Sequence, residues 1–214
     1  ATGLMALSAA VPTVIFLIGQ LIQTEMHRRE ERNSKFRATR AIMDLALSDL
    51  CDYARSSANH ANQRLYILNK GLVPDIPLPK YSRSIINTLR DIIEYGPEDV
   101  GASIQDLISI IQTHHSRLRG LPRRRGEIGD KSAFDDAIWD AAELYAYASG
   151  YFNYARLRSD KLPNQPDLKE VENAIRTINP EFLTRPGLAY RFDTTTNAPH
   201  DPAPDSGTTP NNPP

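Results

Sequence analysis

Between Gln20 and Lys70 the chain contains neither glycine nor proline. Those two residues punctuate helices more strongly than any others, so a gap of this length predicts one long helix. An apolar seam supports it: Met43, Leu47, Leu50, Ala54, Ala61, Leu65 and Leu68 recur at steps of three, four or seven, the spacing that keeps side chains on one helix face. If residues 20–70 were all helical, the rod would be about 75 Å long at 1.5 Å per residue.

What precedes this helix is more unusual. Ala1 to Thr24 carries no charged side chain, and Leu4 to Ile22 reads LMALSAAVPTVIFLIGQLI. Nineteen residues span about 28 Å, close to the ~30 Å hydrocarbon layer of a bilayer. Ten of them are Leu, Ile, Val or Phe, which together favour insertion by about 3–6 kcal/mol. Ser8, Pro12, Thr13, Gly19 and Gln20 subtract from that. The expectation is a single transmembrane anchor over residues 1–24, with the lipid bilayer as its first partner.

Orientation follows from the flank. Arg28, Arg29, Arg32, Lys35, Arg37 and Arg40 outnumber Glu25, Glu30 and Glu31, and the opposite flank has no basic residue. Positive flanks stay on the cytoplasmic side, so residues 25–191 are expected in the cytosol, beneath the inner membrane if the cell is bacterial. A cleaved secretory signal is the competing reading, with Ser8-Ala9-Ala10 as the small-residue site and a secreted or periplasmic domain as the product. It lacks a basic n-region, and its longest apolar stretch follows the small residues instead of preceding them. Burial of the same run inside a globule is a third. The chain starts at Ala1 without an initiator methionine, which leaves room for a leader or an earlier span ahead of it.

Beyond Lys70 the apolar pattern keeps the helical period. Gly71 to Pro79 (GLVPDIPLP) stops the first helix. Residues 81–95 place Ile85, Ile86, Leu89, Ile92 and Ile93 on one stripe, and Gly96-Pro97 breaks it. The next stripe is Val100, Ile104, Leu107, Ile108, Ile111 and Leu118, with His115 beside it and His114 to its side. GLPRRRGEIGDK (120–131) is a loop by composition. Ser132 and Asp135 resemble a capping box opening a helix to about Arg158, seamed by Phe134, Ile138, Ala141, Tyr145, Ala148, Phe152 and Ala155. Pro163 and Pro166 precede a short helix with Leu168, Val171, Ile175 and Ile178, which Pro180 ends. No segment alternates with period two. The fold class is therefore all-α: a transmembrane helix, then an antiparallel bundle of about five helices, the first of them long. Residues 192–214 (FDTTTNAPHDPAPDSGTTPNNPP) are too poor in apolar side chains to offset the entropy of ordering, and are expected to form a disordered tail.

The residues exclude much chemistry. A single cysteine, Cys51, allows neither an internal disulfide nor a cysteine zinc site, and the net charge of −1 gives no global field toward nucleic acid. No Glu-x-x-His supports a di-iron bundle, no Gly-x-Ser-x-Gly supports a hydrolase, and Gly126-Glu-Ile-Gly129 lacks the lysine and strand of a phosphate loop. Asp136, Asp140 and Glu143 share a helix face, read as a solvated acidic strip paired with basic residues. No catalytic residue, cofactor, metal or nucleic acid is expected.

Two candidate contact surfaces remain. Arg117, Arg119, Arg123, Arg124 and Arg125 fall within nine positions without an acid, and would meet anionic lipid if the bundle returned this loop to the bilayer. Leu144, Tyr147, Tyr151 and Tyr154 form a second apolar line beside the Phe134–Ala155 seam. Tyrosine favours interfaces, so an exposed strip there would mark a protein partner or self-association. The reading is a membrane-tethered, non-catalytic interaction or scaffold module. A released helical domain and an enzyme without local motifs are the alternatives.

Overall fold

A computed structural model describes the backbone of residues 3–124 and 132–196 and the side chains of residues 19–124 and 132–192. All regular structure in these residues is helical: α1 (Gly3–Asn69), α2 (Arg83–Tyr95), α3 (Glu98–Gly120), α4 (Ser132–Gly150), α5 (Phe152–Ala155), α6 (Leu168–Ile178), a 3-10 helix (Pro180–Thr184) and α7 (Pro186–Thr196).

The glycine- and proline-free gap is one uninterrupted helix that also takes in the apolar run, since α1 continues from Gly3 to Asn69. It ends where Gly71 enters the left-handed region at φ 76°, a conformation that costs glycine nothing. The Gly71 and Leu72 amides then donate to the Leu68 and Ile67 carbonyls, the paired closure that satisfies the last carbonyls of a helix. Among the described residues no helix is long and apolar enough to cross a membrane. The Leu4–Ile22 run lies mostly on positions 4–18, whose side chains fall outside the described set.

Helices α1 to α4 form an up-down-up-down bundle in which α1 neighbours α2 and α4, and α3 closes the square between them. Cross-links fix the directions. Arg32 of α1 donates to the Tyr95 and Gly96 carbonyls at 3.1 and 2.8 Å, so α2 ends near the start of the bundle. Arg64 donates to Pro122 at 2.8 Å, so α3 runs parallel to α1 and finishes at the far end. Cys51 lies 3.7 Å from Ser149, so α4 returns antiparallel. The predicted seams of α1 and α2 point inward, with Met43, Leu47, Leu50, Leu89 and Ile92 fully buried.

One core cluster fills the end nearer the α1 N-terminus, around Leu47, Leu50, Leu89, Ile104, Leu107 and Tyr151. A second fills the far end, around Leu65, Leu68, Phe134, Ile138, Ile175 and Phe182. Residues 70–82 run there without helix, and α6 and α7 pack onto α4, with the 3-10 helix between them.

Three expectations need amendment in this region. The 132–158 helix divides: α4 stops at Gly150, and a one-turn α5 follows a turn at Tyr151. Asp135, expected at a capping position, is buried and bonded to the Arg185 guanidinium at 2.6 Å. The backbone of Gly187 passes so close to that carboxylate that a Cβ there would clash with Asp135 Oδ2. The start of the proposed tail is also ordered. α7 extends to Thr196, and the Phe192 ring packs at a tilt against Trp139, centroids 5.5 Å apart, an apolar contact that a composition average over 23 residues conceals. The remainder of the predicted tail, 197–214, lies outside the described residues.

Candidate functional site

The basic residues expected to flank a membrane divide into two groups. Residues 19–35 of α1 are exposed throughout, including Leu21, Ile22 and Met26 at 70%, 55% and 58%. In this stretch Arg29 pairs with Glu25 at 3.5 Å and Lys35 with Glu31 at 2.9 Å, both along the helix. Such exposed i,i+4 pairs are screened by water and contribute little. Arg28 and Arg37 are exposed, and Arg32 caps α2 as described. Arg40 does not belong with them. It is buried, its Nε donates to the Tyr154 carbonyl at 2.8 Å, and Nη2 donates to the Ser159 carbonyl at 2.9 Å. Its guanidinium also lies 3.9 Å from the Tyr154 ring centroid. A membrane-flank role for Arg40 is therefore replaced by a structural one.

The tyrosine strip is not a face. Leu144, Tyr147, Tyr151 and Tyr154 are all buried, at 0%, 4%, 0% and 3% exposure. α4 is enclosed by α1, α3 and α6, so it has no solvent side along this line. The Tyr151 hydroxyl bonds to the Ser103 hydroxyl at 2.5 Å and donates to the Ser103 carbonyl at 3.1 Å. Burial raises its pKa well above that of free tyrosine, so the hydroxyl keeps its proton. The large apolar side chains that α1 leaves exposed within the bundle region are instead Ile42, Leu45 and Tyr66.

The basic loop lies at the end of the bundle far from the α1 N-terminus. Arg117 and Arg119 are in the last turn of α3, level with Arg64 of α1 through the Arg64–Pro122 bond. Arg64 is forty residues beyond Thr24, about 60 Å along a helix axis. The fold thus keeps this cluster away from the basic residues at 28–37. Arg117 pairs with Asp140 at 2.8 Å, and Arg119, Arg123 and Arg124 are exposed. Arg125 lies outside the described residues.

The acidic strip of α4 is partly enclosed, not freely solvated. Arg117 covers Asp140, whose side chain is 14% exposed, and Arg191 of α7 binds Asp136. Glu143 is held above the usual carboxylate range by burial and by neighbouring Asp140. Among the described residues no cluster of His, Cys, Asp or Glu has the geometry to hold a metal ion.

A polar cluster in the core was missed by sequence reasoning. His114, not His115, faces inward: it is 2% exposed and neither ring nitrogen has a hydrogen-bond partner. The spacing held the clue, because position 114 completes the Ile111–Leu118 seam at steps of three and four. His115 bonds through Nδ1 to the Tyr53 hydroxyl at 2.9 Å, and Tyr81 packs edge-on against both rings. Burial pushes the Tyr53 hydroxyl up to about 12 and, foremost among the causes, brings His114 down to about 4. Cys51 is a buried thiol whose acidity burial suppresses, the behaviour of a small apolar side chain.

The folded protein holds His114 neutral where the unfolded chain takes up a proton. Its contribution to stability is complete above about pH 6.5 and declines as pH falls toward 4, by up to about 1.4 kcal/mol per unit. Burial lowers His60 and His115 as well, so they add in the same sense. Urea unfolding at pH 7 and pH 5 is expected to show a smaller loss for His114→Leu than for the parent chain. An unchanged loss would mean that His114 is accessible to protons in the native state.

No family model, curated protein or solved structure matches this chain.

Proposed function

We propose that this chain is a membrane-tethered helical interaction module without catalytic activity. In this reading Leu4–Ile22 is the transmembrane segment, and Arg28, Arg29, Arg32, Lys35 and Arg37 hold the bundle on the cytosolic side. One observation carries the reading: α1 is a single helix from Gly3 to Asn69, whose residues 19–35 are exposed and make the stem between the apolar run and the bundle. A helix of this kind places a folded domain at a set distance from whatever holds its first turns. The bundle then offers its surface to a protein partner or to a second copy within the same plane. The pairing of Asp136 with Arg191 and of Asp140 with Arg117 favours this over an enzymatic role.

Fractionation of cells expressing the full chain tests it. The protein is expected in the membrane pellet after an alkaline carbonate wash. Ile15→Asp with Leu17→Asp is expected to move it to the supernatant, since each acid near mid-bilayer costs about 2.5–3.5 kcal/mol. A full-length parent chain that washes off, or a product shortened by removal of the run, overturns the reading. Orientation is read from Ser56→Cys in a Cys51→Ala background, because residue 56 is exposed. Protection of that thiol from an impermeant reagent in intact cells is expected, and labelling there reverses the assignment.

A further inference from the structure

At the far end of the bundle, residues 70–82 cross between α1 and the end of α3 and leave a cleft of about 280 Å³. Arg64, Arg119 and Arg123 line it together with His60, and no acidic side chain is among its described lining residues. The opposite wall is apolar, made by Val73, Ile76 and Leu78. A concave surface of this kind is polarised: cationic on the helical side, oily on the side of the extended segment.

His60 makes the cleft specific. It is 6% exposed, and its Nε2 has no hydrogen-bond partner. Nε2 is therefore an unused polar atom beside positive charge. A neutral imidazole nitrogen is an acceptor or an N–H donor according to tautomer, so a ligand oxygen that offers both roles satisfies it in either form. An anion that also carries an O–H offers both.

We propose that this cleft binds a small soluble organic phosphate, its phosphate among Arg64, Arg119, Arg123 and His60 and its apolar part against Val73, Ile76 and Leu78. A phosphomonoester has its second ionisation near pH ~6, so near neutrality one proton can be shared between a phosphate oxygen and His60 Nε2. A carboxylate has no such proton. Guanidinium forks match phosphate oxygens in pairs. The volume lies at the small end of the roughly 300–1,000 Å³ range of ligand pockets, which suits one ring or a short chain. A lipid headgroup offers the same phosphate, but the cleft is about 60 Å along α1 from Thr24. The choice of a soluble source rests on the membrane reading; the phosphate site itself does not.

Titration of the full chain in zwitterionic detergent with phenyl phosphate tests the proposal, followed by calorimetry and by the His60 ring resonances. Saturable binding with Kd at or below about 1 mM is expected, with movement of the His60 signals. Arg119→Gln, at an exposed position, is expected to weaken it by about tenfold or more, the loss of one charge-assisted contact. Arg37→Gln, the same charge change on the stem, is expected to leave it unaltered. No saturable binding, an equal loss in Arg37→Gln, or equal affinity for benzoate overturns the proposal. So does binding confined to vesicles containing phosphatidic acid, which would assign the cleft to lipid and, if the carbonate result stands, leave the membrane reading intact.

Discussion

Tyr151→Ala is expected to lower the unfolding free energy by about 3–5 kcal/mol, the usual range for deleting a buried aromatic ring. Tyr151 is among the largest fully buried side chains of the protein, at 0% exposure. It sits at the turn between α4 and α5, packed 5.3 Å from the Tyr147 ring, where Leu47, Leu89 and Ile104 belong to the same cluster. The hydroxyl contributes separately. Tyr151→Phe keeps the ring but leaves the Ser103 hydroxyl and carbonyl short of a partner, so a cost of about 1–2 kcal/mol is expected. Tyr66→Ala, at a position 62% exposed, is expected to change stability by less than about 0.5 kcal/mol. Chemical unfolding followed by far-ultraviolet circular dichroism measures all three. Parent-like stability of Tyr151→Ala would return the tyrosine line to the surface as a contact face.

The same tyrosines show where sequence patterning succeeds and where it stops. Periodicity identifies which residues share a helix face, so Met43, Leu47 and Leu50, or Ile85, Leu89 and Ile92, were legible as core. It does not say how many faces of one helix are covered. α4 carries two adjacent apolar lines because α1, α3 and α6 surround it, and only the arrangement of the other helices distinguishes that from an exposed strip. The α6 start was available locally: Asp167 and Glu170 form a reciprocal capping box at the expected spacing of three. Arg40 was opaque for the opposite reason. Its partners, Tyr154 and Ser159, are more than a hundred positions away, and its sequence neighbours resemble a basic membrane flank. The cleft at His60 combines both problems, since α1, α3 and the proline-rich connection each supply a part that is unremarkable alone.

Arg40→Ala is expected to cost about 2–4 kcal/mol, from two charge-assisted hydrogen bonds and a stacked ring contact. The loss falls on the junction where the stem of α1 enters the bundle. The Arg40 side chain is 9% exposed, whereas its ion-pair partner Asp160 is 97% exposed at 3.4 Å. The pair with Asp160 therefore contributes little through water, and Asp160→Asn is expected to be near neutral. The weight rests on the Tyr154 and Ser159 carbonyls, which the guanidinium bridges. Arg40→Met fills part of the volume but donates nothing, so it is expected to resemble Arg40→Ala. Arg40→Lys retains one donor direction and should fall between these and the parent. Local opening offers a second readout. The segment held by Arg40 contains Leu157 in the left-handed region, at φ 58°, an uncommon backbone for leucine that its surroundings must maintain. The Leu157 and Arg158 amides donate to the Tyr154 and Asn153 carbonyls. Their hydrogen exchange is expected to accelerate in Arg40→Ala by more than the global loss of stability accounts for, while amides of α6 follow the global change. Uniform acceleration across both segments would show that Arg40 stabilises the bundle as a whole and not this junction in particular.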